Sequence, residues 1–163
     1  MRKIILISSL FFTINISMSA QAVYTEIRKI AQKHIEDTNS QQIIKDINRF
    51  ELDALNYMGM KMKEVMPDAP ASVLDDQAYA LYQFINLYCR TLIDIKKQSK
   101  AQQIKIINLF MDISYSNPFF KDPEKNIVLY YFSNEESLTR FSLDTDWQRA
   151  YVAASTELKK LSK

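Results

Sequence analysis

Residues 72–97 read S-V-L-D-D-Q-A-Y-A-L-Y-Q-F-I-N-L-Y-C-R-T-L-I-D-I-K-K, and this stretch decides the fold. Apolar side chains recur in it at alternating steps of four and three, the spacing that places them on one face of an α-helix. They are Leu74, Ala78, Leu81, Ile85, Tyr88, Leu92 and Ile95. This face is widened beyond a narrow stripe by Tyr82, Phe84, Leu87 and Cys89. The pattern predicts a long helix, begun at Ser72 and buried over most of its circumference, at the centre of a helical bundle.

The rest of the chain supports the same class. One Gly and four Pro provide too few turn residues for an all-β protein, and no internal repeat or linker divides the chain. Helical periodicity and capping residues predict further helices at 25–36, 40–66, 99–117 and 144–161. We therefore expect a single all-α domain, a bundle of five to seven helices.

Residues 122–141 are less well determined by pattern. Asp122-Pro123-Glu124 is typical of a helix start and predicts a helix to about Phe132, and a capping box at Ser133 predicts a short helix to about Phe141. Residues 127–132 are also rich in strand formers, so both helix and strand remain open for them.

The N-terminus has the three parts of a secretory signal. A short basic start at Arg2 and Lys3 precedes an apolar run, and Ala20-Gln-Ala22 supplies the small residues that a signal peptidase recognises. The run is shorter than the ~20 residues of a membrane-spanning helix and contains several polar residues. We predict a signal peptide at 1–22, a domain at 23–163 located in the periplasm or secreted, and no membrane anchor after cleavage.

Charge gives no reason to expect a polyanionic partner. The 21 Lys and Arg residues include Arg2 and Lys3, whereas none of the 19 acidic residues precedes Val23, so residues 23–163 carry 19 charges of each sign. A neutral chain with interspersed charges argues against nucleic acid as a partner.

No motif in the sequence defines a reaction. G-x-S-x-G, H-E-x-x-H, C-x-x-C and a Gly-rich phosphate loop are all missing, so we predict no catalytic residue and no cofactor. His34, the only histidine, has no second histidine with which to bind a metal, and it is interpreted as a border or core residue. Cys89 lies on the apolar face and is interpreted as a small buried hydrophobe.

Two local patterns resemble metal sites but have simpler explanations. The methionines at 58, 60, 62 and 66 supply soft ligands for Cu(I), yet on a helix Met60 points away from the other three, so packing is the preferred interpretation. Asp144-Thr-Asp146 resembles the start of a calcium loop but lacks its remaining ligands, and helix capping by Asp144 is preferred. No metal site is predicted.

The remaining feature is a row of polar residues on the helix at 72–97, opposite its apolar face. We call this row the polar stripe; its candidate ligand-binding residues are Asp76, Tyr79, Gln83, Asn86 and Arg90. Amides, a phenol and a guanidinium in one row suit a polar ligand such as a glycan, a peptide or a protein surface. The simpler alternative is the solvated edge of a mostly buried helix.

The sequence favours an exported, non-enzymatic binding or interaction protein. One alternative is a small helical hydrolase of envelope polymers, which requires a carboxyl group with a raised pKa in a partly apolar pocket. Another is a periplasmic chaperone that holds unfolded clients, suggested by the apolar-rich helices. A carboxyl group in a partly apolar pocket would favour the hydrolase, and the orientation of the polar stripe toward water or a cavity bears on the binding hypothesis.

Overall fold

The structure, a computed structural model, describes residues 21–122, 129–130 and 140–161. These residues form five helices and one pair of short strands: α1 (Ala22–Glu36), α2 (Gln42–Val65), α3 (Ala71–Asp94), α4 (Lys100–Ser116), β1 (Leu129–Tyr130), β2 (Arg140–Phe141) and α5 (Trp147–Leu161). The predicted all-α class is confirmed. Residues 1–20, which make up most of the predicted signal peptide, lie outside the described residues.

Helix α3 occupies the centre, as its broad apolar face predicts. Leu81 and Phe84 are fully buried there, and α1, α2 and α5 all pack against this helix. The helix begins at Ala71, one residue before the predicted cap, so Ser72 lies within the first turn and caps nothing. A single 3-10 turn at Ile95–Lys97 follows it.

An aromatic cluster forms the core around α3. Phe84 lies 5.4 Å, centroid to centroid, from the rings of Phe110 on α4, Phe141 on β2 and Trp147 on α5. Phe50 on α2 completes it, 5.8 Å from Trp147. Most of these pairs meet edge to face, the arrangement that aromatic quadrupoles favour. One cluster therefore joins four helices and the second strand.

The helices alternate in direction. The start of α1 meets the start of α3 at Tyr24 and Asp75, and the start of α5 meets α3 at Gln77 and Trp147. Tyr24 also lies against Gly59 in the last third of α2, so α2 runs the opposite way. The starts of α1, α3 and α5 consequently lie at one end of the bundle.

Caps agree with prediction in one helix and differ in another. Ser99 and Gln102 form the predicted capping box at the start of α4. Ser40 does not cap α2; its hydroxyl donates to Asp37 in the preceding turn, and α2 begins at Gln42 without a side-chain cap. Asp37 also accepts the Asn39 amide, so the local Asx turn has taken the hydroxyl that the cap would have used.

The strand pair corrects the prediction for residues 122–141. Leu129 and Tyr130 pair antiparallel with Arg140 and Phe141, so the predicted helices are wrong at these four positions. The strand alternative left open for residues 127–132 holds at 129–130, because residues 140–141 supply a strand partner. That partner lies in the segment for which the capping box at Ser133 predicts a helix. Residues 123–128 and 131–139 lie outside the described part of the chain.

Four positions whose helical spacing predicts burial face water instead. They are Ile43 and Val65 on α2, 36% and 54% exposed, Ile104 on α4, 46% exposed, and Leu161 at the end of α5, 48% exposed. Each lies near the end of its helix, where fewer neighbouring elements are available to cover it.

Gly59 allows α1 and α2 to approach closely, and α2 continues through it without a break. A Cβ atom built on Gly59 would lie 2.6 Å from the Tyr24 hydroxyl oxygen, well inside van der Waals contact. That hydroxyl donates to the carbonyl oxygen of Leu55 at 3.2 Å. The only glycine of the chain thus makes room for a side chain of the neighbouring helix.

Gly59→Ala should lower the free energy of unfolding by about 1–2 kcal/mol, because the new methyl group displaces Tyr24. In an unobstructed helix the same change would instead stabilise by ~1 kcal/mol. Urea denaturation of the single variants and of the Tyr24→Phe/Gly59→Ala double variant measures the coupling. In the double variant, which lacks the Tyr24 hydroxyl oxygen, Gly59→Ala should cost much less stability than in the wild type. If Gly59→Ala stabilised the protein while Tyr24 is present, the close approach would be contradicted.

Candidate functional site

Helix α3 places the predicted polar stripe on its outer side. Asp76, Tyr79 and Arg90 are exposed, with Tyr79 at 46%, while Gln83 and Asn86 are half-buried. Tyr79 and Arg90 are eleven residues apart, about 16 Å along the helix axis. The stripe is therefore an elongated surface on a helix whose other side is fixed by the core.

The stripe offers binding groups of several kinds. The ring of Tyr79 presents an apolar face and a hydroxyl, the two half-buried amides supply donors and acceptors, and Arg90 supplies a fixed fork of donors. Because α3 is packed on its opposite face, these groups are held in a row without the entropic cost of ordering a loop. This arrangement suits recognition of an extended polar molecule.

A buried carboxyl group that the sequence analysis missed lies on the neighbouring helix. Glu51 on α2 is 3% exposed, and its Oε1 atom has no hydrogen-bond partner among the described residues. Burial raises the pKa of Glu51 to about 8, so the group is largely protonated at neutral pH. The sequence contains a signal for it: Glu51 is four residues from Ile47 and four from Leu55, both on the buried face of α2.

Cys89 on α3 is buried, which confirms its interpretation as a core residue. Burial, and secondarily the charge of Glu51 when ionised, raises the pKa of the Cys89 thiol to about 12. The thiol is therefore protonated and a poor nucleophile at neutral pH.

Asp144 has a different role from the predicted helix cap. It is buried, and its carboxylate accepts three backbone N–H groups, from Phe119 and Phe120 on Oδ1 and from Asp122 on Oδ2, at 2.8–3.0 Å. Asp146 is the cap of α5 instead, since its Oδ1 accepts the Arg149 amide. The carboxylate of Asp144 thus holds the chain that follows α4, and its oxygens are directed at amides.

Charged groups of α2 hold the same loop from the other side. The Lys61 ammonium lies 3.2 Å from a carboxylate oxygen of Asp122 and 3.1 Å from one of Glu64. The pKa of Tyr57 is raised, first by burial and then by the nearby Asp144 and Asp122 carboxylates. Lys61 and Tyr57 of α2, together with Asp144, therefore support the loop at 117–122.

The methionines follow the helical prediction at three of the four positions. Met58 and Met62 are buried in the core and Met60 is 54% exposed, but Met66, which follows the last residue of α2, is 40% exposed and is not buried with Met58 and Met62. Across residues 21–122 and 140–161, no three His, Cys, Asp or Glu side chains are grouped so as to hold a metal ion. Within that same part of the chain, every helix is too short or too polar to cross a bilayer.

No family model, curated protein or solved structure matches this chain. The residues of the polar stripe and the buried Glu51 are accordingly the observations on which a functional proposal rests.

Proposed function

We propose that residues 23–163 form an exported, non-enzymatic binding domain that recognises a polar polymer of the cell envelope, a glycan or peptide, through the polar stripe. One observation carries the proposal: α3 presents Tyr79, an aromatic residue that is 46% exposed, in line with amides and a guanidinium on its outer face. Stacking on the tyrosine ring and hydrogen bonds along the row would orient an extended ligand. Export rests on the signal-peptide pattern at residues 1–22.

Hydrolysis of such polymers is a second candidate function, and Glu51 is the observation in its favour. A general acid must be protonated at the working pH, and burial holds Glu51 in that state. A general acid must also reach its substrate, and Glu51 is 3% exposed. Binding through the exposed stripe requires no such rearrangement, so it is the preferred proposal.

Co-sedimentation of the purified 23–163 chain with peptidoglycan sacculi tests the binding proposal. The wild type should sediment, and Tyr79→Ala and Arg90→Ala should each weaken binding roughly tenfold, the effect expected for an aromatic or arginine anchor of an interface. Circular dichroism and urea denaturation should show that both variants remain folded.

Val152→Ala on α5 and Lys105→Ala on α4 are the matched controls, since both side chains are exposed and lie on other helices. They should bind like the wild type. Absence of wild-type sedimentation would reject envelope polymers as the ligand, and a large loss of stability in Arg90→Ala would assign that residue a structural role. Dye release from labelled sacculi that is abolished by Glu51→Gln would favour the hydrolase.

A further inference from the structure

A carboxylate of α3 contacts α1 one residue from the position where signal-peptide removal would create a new positive charge. The predicted cleavage follows Ala22, which is the first residue of α1. Asp75 Oδ1 accepts the backbone N–H of Tyr24, in the first turn of α1, at 2.9 Å. The nitrogen of Val23 precedes that of Tyr24 by only about 1.5 Å of helix rise.

We propose that Asp75 is the docking site for the α-ammonium group of Val23 that signal-peptide removal creates, and that this ion pair secures α1 to α3. The inference rests on the export that is part of the proposed function. It assigns to Asp75 a role beyond its contact with the Tyr24 amide.

The new terminus needs such a counter-charge. Cleavage removes the Gln21 carbonyl oxygen, which accepts the Thr25 amide at 3.1 Å, so the first turn of α1 loses an acceptor. It also places an ammonium group at the N-terminal, positive end of the helix dipole, which is unfavourable without a nearby anion. The carboxylate that already accepts from Tyr24, one residue away, would supply that anion.

The position of the terminus is fixed by its own side chain. Val23 is partly buried and packs against the core, and the adjacent Tyr24 lies against Gly59 of α2. Asp75 is half-buried and belongs to the helix that organises the bundle. Both partners are therefore held in place before they pair, which reduces the entropic cost that weakens most surface ion pairs.

The test uses the 23–163 chain with a free α-amine and the same chain acetylated at that amine. Acetylation should increase the equilibrium constant of unfolding roughly two- to fivefold in the wild type, the range for a partly exposed ion pair. In Asp75→Asn, which keeps an oxygen to accept the Tyr24 amide but removes the charge, acetylation should no longer destabilise the protein. It should be neutral or slightly stabilising, because it removes an unpaired ammonium group from the positive end of the helix dipole. Asp75→Ser is a second uncharged variant whose side chain retains an acceptor, and it replaces Asp75→Asn if that variant does not fold.

Asp76→Asn is the matched control, because it removes the neighbouring exposed carboxylate. It should respond to acetylation like the wild type. Equal responses in wild type, Asp75→Asn and Asp75→Ser would overturn the docking site. Mass spectrometry of the exported protein separates the two hypotheses: a terminus other than Val23 would contradict the processing, whereas the acetylation result reports on the Asp75 pair alone.

Discussion

Glu51→Gln should stabilise the protein by about 5 kcal/mol above pH 8 and have little effect near pH 4.5. Glutamine has nearly the shape of the protonated acid but cannot ionise. In the wild type the pKa of Glu51 is raised by burial from 4.5 in the unfolded chain to about 8 in the folded one. The protonated Glu51 contributes its full stability below pH 4.5, the unfolded pKa. As pH rises from there through the folded pKa of about 8, the unfolded chain loses the proton first, so the wild type becomes progressively less stable.

Urea denaturation of wild type and Glu51→Gln at pH 4.5, 7 and 9 measures this difference. The advantage of the variant should grow by about 1.4 kcal/mol per pH unit between the two pKa values and stay constant above pH 8. Glu36→Gln, an exposed glutamate on α1, is the control and should show no such growth. Parallel pH profiles for wild type and Glu51→Gln would show that the carboxyl group is solvated in the folded protein.

Asp144→Ala should reduce the free energy of unfolding by about 3–5 kcal/mol, because three backbone N–H groups lose an ionised acceptor inside the protein. Asp144→Asn should cost roughly half as much, since one carbonyl oxygen can still accept from Phe119 and Phe120 while the Asp122 amide loses its partner. Thermal unfolding and urea titration of the two variants give the ranking.

Asp112→Ala, which removes an exposed carboxylate on α4, serves as the control and should change stability by less than about 0.5 kcal/mol. The amide signals of Phe119, Phe120 and Asp122 in NMR spectra add a local readout, since all three should shift in both Asp144 variants. An Asp144→Ala variant as stable as Asp112→Ala would refute the role of this carboxylate in holding the loop.

The central helix was predictable because one physical cause, burial of a broad apolar face, acts along its whole length. The capping box at Ser99 was predictable because both of its partners lie within four residues of each other. The two aspartates before α5 were not distinguishable: each has the chemistry of a cap, and only the tertiary position of residues 119–122 assigns Asp144 to the loop and Asp146 to the helix. A strand pair is likewise non-local, so the strand formers at 129–130 could not reveal their partner.

The candidate site was partly predictable. The spacing of Tyr79, Gln83, Asn86 and Arg90 determines that they share one side of a helix, and the exposure of Tyr79 agrees with an outward orientation. Whether the stripe binds a ligand remains a prediction. Glu51 was missed because a single charged residue within an apolar face is easily assigned to its edge, and only the packing of α2 against its neighbours shows that water is excluded from it.

Gln77 joins the central helix to the last helix of the chain. Its buried amide accepts the Trp147 backbone N–H and donates to Asp146, residues about seventy positions later in the chain. The first turn of α5 is therefore completed only when α3 is already in place, and a fragment ending before α5 would leave this amide without its partners and the aromatic cluster without its tryptophan. The last helix of the chain thus supplies contacts that complete the core of the first three.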